Sequence, residues 1–246
     1  MGKIITFANR KGGSGKSTLV VNLAAELGNR KKKVLIVDVD PQCHATYISG
    51  INTYERKQGL HAVLEHHATL SDVIIPMPYG LYDVVPLYQK DLGYNFKLDL
   101  ESNLNLLDSV KDKYDYILLD TPPSIEDIHR LSLAISDEVM IPLVLNFLAM
   151  EGLAQLVRLI YLINEKYNPN LKLTAIIPVN INSKTNHEKA IQKQLEESFG
   201  DKLVKFGIRT DVKIQDASWE QKPVLIYSPK ARCVEDFSDL ANEIAI

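Results

Sequence analysis

A glycine-rich segment near the amino terminus has the residue types and spacing that most specifically indicate chemistry. Its residues are Lys11, Gly12, Gly13, Ser14, Gly15, Lys16, Ser17 and Thr18. The glycines let successive backbone N–H groups turn toward one point, where a phosphate group can bind. The lysine and hydroxyl that follow supply a cation for the β- and γ-phosphates and an oxygen ligand for Mg²⁺. We therefore expect this segment to bind ATP and Mg²⁺, with Lys16 at the phosphates and Ser17 at the metal.

The neighbouring sequence predicts the elements that such a segment requires. Residues 4–8 are apolar and β-branched, as in a buried strand, and residues 16–27 carry a leucine every fourth position, as on one stripe of a helix. A strand, a glycine loop and a helix in this order form the P-loop context, in which the helix N-terminus adds partial positive charge. This context disfavours the alternative, a solvated glycine turn before an ordinary helix.

Three aspartates follow the ends of other predicted strands. Asp38 and Asp40 come after the apolar run 34–37, and Asp120 closes the run 116–119. Ligands of open α/β sheets bind at this carboxyl edge. We expect Asp38 and Asp120 to order the Mg²⁺ shell, directly or through water, and Asp40 to orient the attacking water. The alternative for Asp40 is a turn that opens before Pro41.

The elements that must position these residues alternate along the chain. Strands are predicted at 4–8, 34–37, 116–119, 139–141 and 173–177, with an accessory strand at 81–87. Helices are predicted at 16–27, 125–134, 150–167, 188–199 and 234–245. Apolar strands separated by helices indicate an α/β fold, with a mostly parallel twisted sheet covered by helices on both faces. We expect one P-loop NTPase domain over residues 1–246.

Composition limits the possible partners and compartments. The 246 residues carry a formal net charge of −3, so any DNA contact must come from a local basic patch. Two cysteines far apart, Cys43 and Cys233, predict a reducing cytoplasm and no disulfide framework. The sequence has neither the signal-peptide pattern nor the apolar run of roughly 18 residues that a membrane span needs. We therefore expect a cytoplasmic protein without stable membrane insertion.

The glycine-rich segment departs from the general P-loop pattern at two positions. Arg10 stands where that pattern has its first glycine, and Lys11 adds a second lysine. Together with Asp-Val-Asp-Pro-Gln at 38–42 and Asp-Thr-Pro-Pro-Ser at 120–124, this deviant Walker A loop resembles the ParA/Soj-type partitioning ATPases of the ParA/MinD family. The resemblance covers residues 3–244.

The resemblance implies a homodimer that forms with ATP, in which Lys11 crosses the interface to the partner's nucleotide. It also implies that Lys11, Lys16 and Asp40 carry out slow hydrolysis, which a ParB-like partner stimulates. Such dimers bind DNA non-specifically on the nucleoid and position a plasmid, a chromosome region or another cargo.

Residues nearer the carboxyl terminus are assigned by the same resemblance. Asn180, Arg209 and Asp211 are expected near the adenine, although Asn180 could instead cap a turn. Seven basic and three acidic residues between positions 202 and 232 form a basic patch. Its expected DNA contacts are Lys213, Lys230 and Arg232, and the alternative is a set of ordinary solvated side chains.

Three substitutions relative to the family's usual residues affect these expectations. Ile226 stands where many members have arginine, which weakens the DNA prediction. Cys43 and His44 replace a common Gly-Asn pair, and no role is assigned to them. The alternatives left open are a MinD-like membrane ATPase and a DNA-independent, ATP-switched scaffold. The acidic polar face of the last helix disfavours binding to anionic lipid.

Overall fold

The structure is a computed structural model that describes residues 2–54, 58–88, 98–124, 127–182 and 186–244. Eight strands form one sheet: β1 Lys3–Phe7, β2 Val34–Asp38, β3 Ile75–Pro76, β4 Asp83–Val85, β5 Tyr116–Asp120, β6 Glu138–Val144, β7 Lys172–Ile181 and β8 Ile208–Arg209. Their spatial order is β3-β4-β2-β5-β1-β6-β7-β8. Among the strand pairs of these described ranges, only β3–β4 at one edge is antiparallel.

The α-helices within these ranges connect or flank the strands. They are α1 Lys16–Asn29, α2 His44–Ile48, α3 Leu60–Leu64, α4 Leu70–Val73, α5 Asp127–Ala134, α6 Phe147–Lys166, α7 Asn186–Phe199, α8 Val212–Trp219, α9 Val224–Tyr227 and α10 Arg232–Glu243. None of these helices combines the length and apolar character that crossing a bilayer demands.

Helices cover both faces of the sheet. Ile5 and Phe7 of β1 pack into a core with α1 and α10 on one face. Ile4 faces the opposite side, where it shares a core with Ile128 of α5, and Ala8 packs with the apolar face of α6. Because both sides of the central strands are buried, their sequences are apolar without alternation. The predicted fold class, a mostly parallel sheet between helical layers, is confirmed.

The observed elements differ from the sequence prediction mainly in length and in the short pieces. β6 and β7 run beyond 139–141 and 173–177 because they pair with each other from Glu138↔Lys172 to Val144↔Val179. The predicted helix at 150–167 starts earlier, because Asn146 caps α6 by accepting a hydrogen bond from the Ala149 N–H. β3 and β8 were not predicted. The predicted first residue of α5, Ile125, and the predicted last residue of α10, Ala245, lie outside the described residues.

Candidate functional site

The glycine-rich segment connects the carboxyl end of β1 to the first residue of α1. Gly13 and Gly15 have φ values of 70° and 77°, a left-handed conformation that glycine adopts without strain. The Asn9 side chain fixes the start of the loop. Its Nδ2 donates to the Pro142 carbonyl at 2.6 Å, and its Oδ1 accepts from the Lys11 N–H at 2.9 Å. The loop is therefore held in place by β6, the strand beside β1.

The start of α1 is suited to an anion. Gly15 is the N-cap residue, it has no side chain to cap the helix, and the first turn contains no acidic residue. The first N–H groups of a helix have no partner within the helix, and the helix dipole places partial positive charge there. A phosphate bound in the loop would supply the missing acceptors.

Lys16 and Asp120 form the buried centre of the site. Lys16 is 6% exposed, and its Nζ donates to the Asn9 carbonyl at 3.3 Å. Burial lowers the pKa of Lys16, while Asp120 and Asp40 raise it. The lysine therefore lies close to both carboxylates.

The Asp120 carboxyl is fully buried, and neither of its oxygens accepts a well-formed hydrogen bond from a described residue. Burial and the Asp38 charge raise its pKa well above the usual range, and the neighbouring Ser17 hydroxyl and Lys16 act in the opposite direction. A buried carboxylate whose hydrogen bonds are incomplete is costly unless a cation or bound water completes them. Asp120 and Ser17 together therefore fit a hydrated Mg²⁺ ion.

Asp38 has a different set of contacts. Its Oδ2 accepts from the N–H and the hydroxyl of Thr46 at 2.8 and 2.7 Å, and its Oδ1 accepts from the Asp40 N–H at 3.1 Å. Burial raises its pKa to about 7, against the effect of the Thr46 hydrogen bonds. Asp38 therefore holds the turn between β2 and α2 in place, and it lies near enough to raise the pKa of Asp120.

Asp40 lies at the cleft in front of the phosphate loop. It is 5% exposed, and its Oδ1 accepts from the Gln42 N–H at 2.9 Å. It lines a cavity of about 220 Å³ together with the loop residues Gly12, Gly13, Ser14, Gly15, Lys16, Ser17 and Thr18. The structure thus brings Asp40 to the predicted phosphate site, where a carboxylate can orient a water molecule.

Lys11 is exposed at the outer side of the loop. It is not among the residues that line the clefts next to the loop, and its side chain makes no ion pair within the described part of the chain. The neighbouring Arg10 is exposed as well. Lys11 is therefore available to a second molecule that approaches this edge of the sheet.

A second cleft, of about 500 Å³, extends from the same loop toward β7 and α8. Asn180 lines it and has a φ of 54°. Three side chains of α2 and four of α8 line it as well: His44, Tyr47, Ile48, Ile214, Gln215, Ser218 and Trp219. Sequence reasoning missed these residues. The 214, 215, 218, 219 spacing, which lies on one face of a helix, was the available signal.

The other two residues expected near the base have different partners. The Arg209 guanidinium forms an ion pair with the buried carboxylate of Asp236, which also accepts from the Arg209 N–H at 3.0 Å. Asp211 caps α8 by accepting from the Lys213 N–H at 2.9 Å. Neither residue lines the cleft. Both residues are therefore held by contacts within the chain.

Part of the basic patch is paired with acidic groups. The Lys213 Nζ lies 3.1 Å from the Asp216 carboxylate and over the Tyr227 ring. Arg232 donates to the Thr210 carbonyl at 3.4 Å, and Lys230 is exposed. Ile226 is half-buried in α9. Lys230 and Arg232 therefore remain the more accessible of the three expected DNA contacts.

Comparisons with known proteins identify similar chains. A family model described as "AAA domain" matches residues 2–173. The sporulation initiation inhibitor protein Soj of Bacillus subtilis is 34% identical over 250 residues, covering 100% of this chain and 99% of Soj. The chromosome partitioning protein ParA of Myxococcus xanthus is 29% identical, covering 99% and 88%. The septum site-determining protein MinD of Pyrococcus horikoshii, complexed with Mg-ADP, has a TM-score of 0.80 at 22% identity, covering 99% and 96%.

Proposed function

The chain belongs to the ParA/Soj family of P-loop ATPases, and from this membership we propose that it is an ATP-switched partitioning protein. In the proposed cycle, the chain binds ATP with Mg²⁺, forms a homodimer, and returns to monomers after hydrolysis to ADP and phosphate. The observation that carries the proposal is the convergence of Lys16, Asp40 and the buried Asp120 carboxylate on the glycine-rich loop.

Each step of the reaction is assigned to a group at this edge of the sheet. The loop N–H groups and Lys16 would bind the phosphates, and Ser17 and Asp120 would hold Mg²⁺, which would supply positive charge to neutralise the phosphates. Asp38 keeps the turn that carries Asp40 in position, and Asp40 orients the water that attacks the γ-phosphate. Asn180 lies at the base end of the site.

Lys11 is the group that a single subunit does not use. In the proposed dimer, Lys11 of one subunit reaches the nucleotide of the other and stabilises charge that develops on the phosphoryl oxygens. This arrangement is supported by the exposure of Lys11 and by the lack of an ion pair to any described residue. Hydrolysis is slow until a ParB-like partner completes the site.

In the proposed cycle, the ATP dimer binds DNA of the nucleoid non-specifically, in the cytoplasm. Relatives named chromosome partitioning protein ParA support it, as do the accessible cations Lys230 and Arg232. Cations that contact phosphates give sequence-independent affinity that falls as salt rises. A second candidate, a DNA-independent scaffold switch, is favoured by the pairing of Lys213 with Asp216 and by Ile226 at a position where arginine is common.

The test measures assembly and DNA binding in three states: no nucleotide, ADP, and ATP, each with Mg²⁺. Light scattering should show a dimer with ATP only, and co-sedimentation with DNA of unrelated sequences should require ATP and weaken along a salt series. The double variant Lys230→Ala, Arg232→Ala should bind DNA less tightly, while Lys193→Ala, an exposed lysine on α7, should bind normally. An ATP dimer that binds no DNA would instead support the scaffold, and ATP-dependent binding to liposomes would favour a membrane-associated ATPase.

A further inference from the structure

A cavity of about 520 Å³ lies at the amino ends of β2, β4 and β5, at the edge of the sheet opposite the phosphate loop. Three segments form its walls: the turn between α1 and β2, the loop between β3 and β4, and the residues just before β5. A volume of this size is typical of small-molecule sites and exceeds that of a single phosphate ion. Among the described residues, the cavity shares no lining position with either cleft beside the phosphate loop. It is therefore a separate candidate site.

The walls of this cavity are strongly positive. Among the described residues that line it, four are lysines and one, Asp83, is a carboxylate. The Asp83 Oδ2 already accepts a hydrogen bond from the Tyr114 hydroxyl at 2.7 Å. None of the four lysines forms an ion pair with a residue of the described ranges; the Lys113 Nζ donates only to the Ser71 hydroxyl there, at 3.2 Å. In a chain with a formal net charge of −3, such a concentration of cations favours an anionic ligand.

The turn that carries three of these lysines, Lys31, Lys32 and Lys33, is held at both ends by hydrogen bonds. On the side of α1, the Lys31 N–H donates to the Gly28 carbonyl at 2.9 Å. On the side of β5, the Lys33 N–H donates to the Asp115 carboxylate at 2.8 Å, and the Lys33 carbonyl accepts from the Asp115 N–H at 2.8 Å. The backbone of the turn therefore needs little further ordering when a ligand binds.

The opposite wall is the loop between β3 and β4, which packs directly on α1. A Cβ added to Gly28 would lie 1.8 Å from the Leu81 carbonyl oxygen, so the helix and the loop meet through their backbones. The Met77 N–H donates to the Tyr82 carbonyl at 3.2 Å and closes the loop. Tyr79, in the same loop, is half-buried and lines the cavity. The cavity is thus bounded by fixed backbone on this side as well.

The dipole of α1 explains only part of the lysine cluster. Cations that follow the last turn of a helix are stabilised by its final carbonyls, and Lys31 and Lys32 come shortly after Asn29, the last residue of α1. Lys113 comes from the segment before β5, yet it lines the same cavity. Lys31 also has a φ of 67°, where a residue with a Cβ is strained and glycine is the usual residue. A lysine at this position costs stability that ending the helix does not require.

We propose that this cavity is a second ligand site, which binds a small organic compound carrying two or more phosphate groups. The phosphates lie among the lysines, including Lys31, Lys33 and Lys113, since ammonium groups form charge-assisted hydrogen bonds with phosphate oxygens. The organic part lies against the half-buried rings of Tyr79 and Tyr114, which offer apolar faces. This second site does not depend on the proposed function, because it lies at the other edge of the sheet.

Calorimetry with sodium tripolyphosphate at physiological salt tests the phosphate part of the site. The double variant Lys31→Gly, Lys113→Gln removes two cations, and glycine suits the left-handed backbone at position 31. It should lose one binding site that the parent chain has, or raise the Kd of that site at least about tenfold. Lys193→Gln, an exposed lysine of α7, is the matched control and should keep the site. Lys16→Ala should also keep it, because Lys16 lies at the phosphate loop.

The organic part is tested with adenosine 3′,5′-bisphosphate as the probe. Tyr79→Ala should weaken its binding at the cavity and leave the Kd for tripolyphosphate there unchanged. Tyr161→Ala is the control, since Tyr161 is an exposed aromatic residue of α6 that does not line this cavity.

The second site is ruled out if the double lysine variant binds tripolyphosphate at as many sites and as tightly as the parent chain. It is also ruled out if a short DNA duplex displaces tripolyphosphate from the cavity and binds there more tightly than either small probe, because the lysines would then serve a nucleic acid. Both results leave the proposed function intact. Loss of all tripolyphosphate binding in Lys16→Ala, with the double lysine variant unaffected, would confine binding to the phosphate loop and overturn the second site alone.

Discussion

Cys43 is strained at the start of the helix that follows the turn carrying Asp40. It is the N-cap residue of α2 with φ 55° and ψ 32°, in the left-handed region. Its thiol is buried and donates to the Pro41 carbonyl. Glycine adopts this backbone conformation without strain. In this conformation, a residue with a Cβ makes the folded protein less stable than glycine would, by about 1 kcal/mol.

Replacement of Cys43 tests this strain. Cys43→Ala loses the buried sulfur and keeps the strain, so it should lower the free energy of unfolding by about 1 kcal/mol. Cys43→Gly loses the sulfur but relieves the strain, and should be more stable than Cys43→Ala by about 1 kcal/mol. Urea denaturation of both variants measures the difference. An alanine variant as stable as the glycine variant would contradict this interpretation.

His129 of α5 links stability to pH. It is fully buried, its Nδ1 lies 2.8 Å from the Ser124 carbonyl, and burial lowers its pKa from 6.5 to about 4. Between these values the unfolded chain binds a proton that the native chain does not bind. The contribution of His129 to stability is therefore constant above about pH 6.5 and falls as the pH drops toward about 4.

Urea denaturation of the parent chain and of His129→Asn, without nucleotide, measures the free energy of unfolding of each protein at about pH 7.5 and about pH 5. The parent should lose about 2 kcal/mol more stability between the two conditions than the variant. Asp38 and Asp120, whose pKa values burial raises, titrate in both proteins, so their effects cancel in the comparison. Equal losses in the two proteins would show that His129 does not titrate as described.

At the scale of elements, α2 is held by its neighbours and not by its own sequence. A helix of five residues is too short to be stable alone. Thr46 connects it to β2, because its N–H and hydroxyl donate to Asp38, and to the segment after β4, because its hydroxyl accepts from the Leu87 N–H at 3.2 Å. The same helix lines both clefts beside the phosphate loop.

Removal of the Thr46 hydroxyl should loosen this connection. Thr46→Val leaves the Leu87 N–H without its acceptor and Asp38 with one donor fewer, so unfolding should become easier by about 2 kcal/mol. The pKa of Asp38 should rise further, since the lost hydrogen bond favours its ionised form. Thr46→Ser keeps the hydroxyl and serves as the control. A valine variant with the stability of the serine variant would rule out this anchoring role.

Sequence reasoning predicted the elements that carry their own signal. The apolar runs 34–37 and 116–119 are recognisable as buried strands from their local sequence alone. The spacing of the glycines in the loop likewise predicts a phosphate-binding site. β8 and α9 are different, because their stabilising contacts come from distant residues. The Val224 N–H, for example, donates to the Asn22 Oδ1 at 2.7 Å. The ion pair between Arg209 and Asp236 of α10 is another contact between distant residues that no local sequence pattern predicts.

At the scale of the whole molecule, one edge of the sheet carries the site and an exposed lysine. Lys11, the phosphate loop and the clefts all lie beyond the carboxyl ends of the strands. A symmetric dimer formed through this edge uses the same surface on both subunits, so each Lys11 can serve the opposite site. Assembly and catalysis would then depend on the same residues.

Lys11→Ala should bind ATP as a monomer with nearly unchanged affinity and should not form the ATP dimer. The reason is that, in the proposed dimer, the lost ammonium group contacts the nucleotide of the other subunit. Light scattering with Mg·ATP measures the assembly state. Lys32→Ala is the control, because Lys32 is an exposed lysine just before β2, at the opposite edge of the sheet. A Lys11→Ala variant that dimerises like the parent would refute the cross-interface role.

Asp40→Ala should separate binding from turnover. The variant should bind ATP and accumulate as a dimer, while phosphate release falls by a factor on the order of 100, the usual contribution of a positioned acid or base. Phosphate release and light scattering on the same sample measure the two effects. Rapid turnover in this variant would remove Asp40 from the proposed mechanism.

The place of β1 in the sheet has a consequence for how the protein is made. β1 is synthesised before the other strands described here, yet its neighbours are β5 and β6, with Lys3 opposite Tyr116 and Ile5 opposite Glu138. An apolar strand without neighbours is prone to aggregate. The nascent chain must therefore carry β1 and its glycine-rich loop unpaired until β5 has left the ribosome, and ATP binding begins only late in synthesis.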